Sequence, residues 1–249
     1  MDSGNAPLLT YSTTPAPAGA PPRRSSGADG SGETLFGTVY RTQELWFTQL
    51  LHELTVLQVR LAAGDCARAL SALDRSLRVL KAAVAQMEII EPLATPRFAA
   101  LCTTARFREV EAVLGQRHPW MYEHHPEENE AGRSIRAAMS RPSVFDAFLR
   151  LLVAEGYAVP YELLCRNVSA PLKPSRELQT VLVRVYQDDG MAAQLCERLT
   201  DLDECFQEWR YRHLSMVERT MDGEHAPISS HAQAFTPVFP DLWTMRSLT

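Results

Sequence analysis

MAAQLCERLTDLDECFQEWRYRHLSMVERTM, residues 191–221, decides the fold. Leu195, Leu199, Leu202, Phe206, Trp209 and Met216 return at three- and four-residue steps, the period of one helix face. Neither Gly nor Pro interrupts the run, so the spacing predicts a single long helix. His213 falls on the same apolar stripe, one turn after Trp209 and two after Phe206. An imidazole in that position is either a hydrogen-bonded core residue or a metal ligand. Periodicity alone leaves both open. Arg210 and Arg212 flank it and suit either a buried anion or a solvated face.

Outward from this helix the same period repeats. Pro174 and Ser175 open a helix with Leu178, Val181, Leu182 and Val185 turned inward. Ser143 with Asp146 forms a capping box ahead of Phe145, Phe148, Leu149 and Leu152, and Gly156 stops that helix. A short helix spans Arg106 to Leu114, ending at Gly115. Leu70, Leu73, Leu77, Leu80 and Met87 mark a longer one, closed by Pro92 and capped at its start by Asp65. Before it, Leu45, Leu50, Leu54 and Leu57 form an apolar face, with Glu44, Gln49 and Glu53 on others. No stretch alternates with period two long enough to be a strand. The expected fold class is therefore all-α, a helical bundle.

Residues 1–33 are rich in Pro, Gly, Ser and Ala and are expected to be a mobile segment, with Leu8, Leu9 and Tyr11 as an apolar island. Residues 34–249 form the helical domain. Net charge is −5, so no basic footprint points to nucleic acid. No apolar run reaches the roughly 18 residues that a membrane helix needs. The five cysteines are odd in number and widely spaced, which suits free thiols in the cytoplasm better than a disulfide framework. Residues 116–132, QRHPWMYEHHPEENEAG, lack periodicity and are expected to be a surface loop. His124 and His125 with the neighbouring glutamates lack the spacing of a metal site, and YQDDG at 186–190 reads as a helix-ending turn.

Particular strings add a resemblance. LFGTVYRTQELWFTQLLHEL (35–54) resembles the haem-pocket helix of tryptophan 2,3-dioxygenases. FQEWRYRHLSMVER (206–219) resembles the family segment whose histidine binds the haem iron, and FPDLWTMR (239–246) its C-terminal motif. RALSALDRSLRVLKAAVAQ, FREVEAVLG, PSVFDAFLRLL, LTDLDE and the LTY at 9–11 are weaker matches, in the family's order.

The resemblance implies haem b buried between helices, an aromatic amino-acid substrate, dioxygen, and a homodimer or homotetramer in which the N-terminal segment reaches a neighbour's active site. It places His213 on the iron ligand, Trp209 and Arg212 beside the cofactor, and Phe36 on the ring that packs against the indole. Tyr40 stands where the family has a distal histidine, and a phenol with a pKa near roughly 10 is a poor base at neutral pH. The family's loop over the haem is missing between Thr95 and Phe107. Its Phe-Arg pair, whose arginine clamps the substrate carboxylate, has no clean counterpart, leaving Arg97, Arg106 and Arg41 as candidates. HAPISS (225–230) replaces the loop that closes on the substrate.

These features imply an oxygenase that adds one or two oxygen atoms to the indole ring of tryptophan or a modified tryptophan in specialised biosynthesis, of the 2-oxindole-forming kind. A haem-binding sensor or carrier, and a helical interaction module that has lost haem, are the alternatives.

Overall fold

The computed structural model describes residues 30–92, 104–118, 121, 125–126, 128–220 and 236–247. Two long helices begin it: α1 (Gly30–Ala62) and α2 (Cys66–Ile90). They form an antiparallel hairpin because Gly64 takes a left-handed conformation (φ 70°) and Asp65 caps α2, accepting from the Arg68 N–H. A third long helix, α8 (Met191–Thr220), lies along α2. Ion pairs from Arg198 to Asp74, Arg212 to Glu88 and Arg219 to Glu91 advance together along both helices. So α8 runs parallel to α2 and antiparallel to α1.

Shorter helices brace this trio: α3 (Ala105–Leu114), α4 (Glu130–Met139), α5 (Val144–Ala154), α6 (Tyr161–Leu164), α7 (Arg176–Gln187) and α9 (Pro240–Arg246). Their ends follow local chemistry. Gly115 (φ 130°) closes α3, the Ser143–Asp146 capping box opens α5, and Ser175 caps α7. Helix α9 is held to α8 by Asp203, which accepts from the Phe239 N–H and the Trp243 indole N–H, both at 2.9 Å. No strand occurs among the described residues, so the expected all-α bundle stands. No described helix is long and apolar enough to cross a membrane. The described cysteines, Cys66, Cys165, Cys196 and Cys205, are free thiols.

The core is apolar, built on Leu50, Leu54, Leu57, Leu73, Leu80, Leu195, Leu199, Leu202, Phe206 and Trp209. Each such side chain contributes about 1.5–3 kcal/mol on burial.

Two expectations need correction. Leu45 is 69% exposed, while Glu53 is buried and paired with Arg75. The inward stripe of α1 is Phe36, Val39, Gln43, Phe47, Leu50, Leu54, Leu57 and Leu61, and Leu45 lies far around the helix from it at 100° per residue. The second concerns 116–132, which is not simply a solvated loop. Gln116, Arg117 and Met121 are buried, and Glu130 already begins α4 under an Asn129 cap. The Arg117 guanidinium donates to the carbonyls of Val168 (2.8 Å), Arg141 (3.0 Å), Gln116 (3.2 Å) and Ala112. Burial lowers its pKa to about 10. Gly132 sits inside α4 because a Cβ there would collide with the Pro126 carbonyl. Such a buried arginine leaves no periodic trace in sequence.

Candidate functional site

Helices α1, α3 and α8 meet around one aromatic cluster. Phe107 of α3 lies 4.5 Å, ring centre to ring centre, from Trp209 and stacks on Phe206 at 5.6 Å. Phe47 of α1 meets Trp209 edge-on at 5.3 Å. The indole N–H of Trp209 donates to Gln43 Oε1 at 3.3 Å, and Gln43 Nε2 donates to the Ala83 carbonyl of α2 at 2.7 Å. Gln43 thus ties three long helices together and satisfies a fully buried indole N–H. The indole N–H is thus taken by Gln43 and is not left for a buried anion. A glutamine on an otherwise apolar face of α1 was the available signal.

His213 lies one turn beyond Trp209, 5% exposed, its ring parallel to the indole within 5° at 5.4 Å. Because α1 runs antiparallel to α8, one turn from Gln43 toward the start of α1 matches one turn from Trp209 toward His213. Tyr40 and Phe36 therefore stand at the level of His213 and beyond. Their rings are 6.2 Å apart. Phe36 is buried and Tyr40 half-buried. Burial, and secondarily the Glu44 charge, raise the Tyr40 pKa, so the phenol keeps its proton throughout the neutral range.

The arginines divide. Arg210 is buried, lies over the Phe206 ring at 4.5 Å, and pairs with the buried Glu111 at 2.6 Å. Arg108 holds the same carboxylate at 2.6 Å. Desolvation alone would raise the Glu111 pKa, but the two guanidinium groups outweigh it and hold it below the usual value. Arg212 stands on the outer flank of α8, between Glu88 and Glu208, each at 3.0 Å. Arg41 is exposed and donates to the Gly37 carbonyl.

Arg106 pairs with Glu109 at 2.9 Å and acts on Glu44, one turn after Tyr40. Arg97, with Leu9, Tyr11, His124 and the 225–230 segment, lies outside the described residues. Phe107–Arg108 is itself a Phe-Arg pair in the chain, and its guanidinium is engaged by Glu111. Arg108, Glu111 and Gln43 are polar residues of this cluster that sequence reasoning did not single out.

Among the described residues no group of three or more His, Cys, Asp or Glu could chelate an ion. Among the described residues the buried imidazole is that of His213, on an apolar, aromatic surface. That suits a cofactor bringing its own equatorial ligands and needing one axial nitrogen, as haem does. The residues fit the group.

No protein-family model matches the chain. Known relatives do. The chain is 43% identical over 230 residues to the tryptophan 2,3-dioxygenase of Anaeromyxobacter dehalogenans, covering 86% of each chain. It is 39% identical over 238 residues to that of Herpetosiphon aurantiacus, covering 90% of this chain and 91% of the relative. With that of Saccharopolyspora erythraea, identity is 30% over 233 residues, covering 86% and 83%. The described residues form an all-helical fold with a buried imidazole on an aromatic face. Relationship over most of its length places the chain in the tryptophan 2,3-dioxygenase family, as an enzyme of that oxygenase class.

Proposed function

We propose that this enzyme is a haem-dependent oxygenase that adds one or both atoms of dioxygen to the indole ring of tryptophan or a modified tryptophan, in specialised biosynthesis. The relatives' names support an indole amino acid as substrate. The observation that carries the specialised reading is Tyr40, a protonated phenol at the level of His213 in place of a distal base.

His213 would hold the iron of haem b and Trp209 would wall the cofactor. When bound, ferrous haem supplies the activation of dioxygen. Phe36 packs against the indole and fixes the ring face that reacts. Tyr40 donates a hydrogen bond from its hydroxyl and withdraws no proton, so the indole N–H proton leaves to solvent or to the substrate itself. The substrate carboxylate goes to a guanidinium, with Arg106, Arg108 and Arg97 as the candidates. The assembly is a homodimer or homotetramer, with the segment around Leu9 and Tyr11 closing a neighbouring site.

The test is His213→Ala. It removes the axial imidazole and is expected to abolish stable haem retention, measured as the ratio of the haem band to protein absorbance. His125→Ala leaves that ratio unchanged. A His213→Ala protein with full haem and a native spectrum would sink the assignment. Product mass from tryptophan then separates the addition of one oxygen atom from two.

A further inference from the structure

Two successive residues of α8 carry polar tethers to two different helices. The Trp209 indole N–H is held from α1, by Gln43 at 3.3 Å. Arg210 is held from α3. Its guanidinium donates to Glu111 Oε1 at 2.6 Å and lies over the Phe206 ring at 4.5 Å. Glu111 is itself fixed, because Arg108 of the same helix donates to its Oε2 at 2.6 Å. Both ends of this second tether are buried, Arg210 at 9% exposure and Glu111 at 2%. Among the described residues, Arg210 Nη1 is buried and finds no hydrogen-bond partner.

A buried ion pair of this kind adds little net stability, because desolvating two charges offsets their attraction, and an apolar pair of similar volume fills the same space at no greater cost. What it adds is direction. A guanidinium donates in its own plane and to an oxygen placed to meet it. At roughly 100° per residue, Arg210 projects about 100° and His213 about 40° around α8 from Trp209. His213 therefore points between the two tethered directions, one turn further on. The helix cannot rotate at this turn without breaking one tether or the other.

We propose that Glu111 is a positioning residue for His213, acting through Arg210: with the Gln43–Trp209 bond it sets the rotational phase of α8 and so aims the imidazole. This rests on the reading above that His213 is the axial ligand of haem. Groups that orient a ligand control the strength of its bond to the metal, and their loss typically costs about 10–100-fold in affinity. Glu111 touches neither the imidazole nor the cofactor. Its effect is carried by the turn of helix between Arg210 and His213.

The experiment uses the haem-loaded protein and reads the rate of haem transfer to an excess of a scavenging apoprotein, together with the iron–imidazole stretching band of the ferrous form by resonance Raman. Glu111→Gln and Arg210→Met each cut the tether, and each is expected to speed haem loss by about 10–100-fold and to shift or broaden the band. Combined, they do no more than either alone, because they cut the same link. Removing one member of a buried pair can unfold a protein, so Glu111→Leu with Arg210→Met fills the space with apolar groups instead. Its urea midpoint stays at or above that of wild type, while haem loss and the band change as in the single variants. Arg219→Met breaks the outer ion pair with Glu91 and leaves both readouts unchanged. A folded apolar-pair variant with wild-type haem loss, or faster loss with an unchanged band, overturns the positioning role and leaves the axial assignment standing. Wild type without haem, or His213→Ala that keeps both haem and band, overturns the axial assignment, and the Glu111 role with it.

Discussion

Gln43→Leu removes the amide that joins α1, α2 and α8 and keeps most of the volume. The buried Trp209 indole N–H then has no acceptor, which costs about 1–3 kcal/mol. The Gln43–Ala83 hydrogen bond, 2.7 Å long, is worth about 0.5–1.5 kcal/mol net. The more apolar leucine returns about 1 kcal/mol. The balance is a loss of about 2 kcal/mol. With a urea slope of about 2 kcal/mol per molar, the unfolding midpoint falls by roughly 1 M.

A functional effect should accompany it. Trp209 is stacked parallel on His213 at 5.4 Å, and Gln43 holds the indole in that plane, so the variant should lose haem faster than wild type on dilution. The assays are urea denaturation followed by circular dichroism, and haem transfer to an excess of a haem-scavenging apoprotein. A midpoint and a transfer rate both indistinguishable from wild type would refute the argument that this amide positions the site.

Tyr40→Phe is expected to lower kcat/KM by about ten- to a hundredfold, the loss of one hydrogen bond, rather than the about 10²–10⁴-fold of a lost general base; steady-state kinetics decide, and Tyr40→His shifts product mass toward two added oxygen atoms if this position partitions the chemistry. Asp203 gives a pH test. Burial raises its pKa despite the hydrogen bonds from Phe239, Trp243 and Gln207, so its stability contribution is fully present below the ordinary carboxyl range and is lost as pH rises through the folded-state value. Asp203→Asn removes this titration while retaining an acceptor for α9, and wild type should therefore gain stability relative to the variant as pH falls from 8 to about 4, read from paired urea midpoints.

The sequence by itself determined the longer helices and their principal caps. Asp65, Ser143 and Ser175 act within three residues of themselves, and Gly115 and Gly156 need only their own φ, so local chemistry leaves these signals in the chain. The α8 stripe carried His213, and the motifs around it carried the family. What only the tertiary structure decided depends on groups distant in sequence. Trp209 finds its acceptor at Gln43, 166 residues away. Arg210 finds Glu111, 99 residues away, while Arg212, two residues further on, turns outward to Glu88. The step between them is about 200° around the helix, and sequence cannot say which of two arginines faces the interior until a buried carboxylate fixes it. Leu45 and Glu53 show the same limit from the apolar side: the face that is buried is set by the partners α2 and α5, not by a count of leucines.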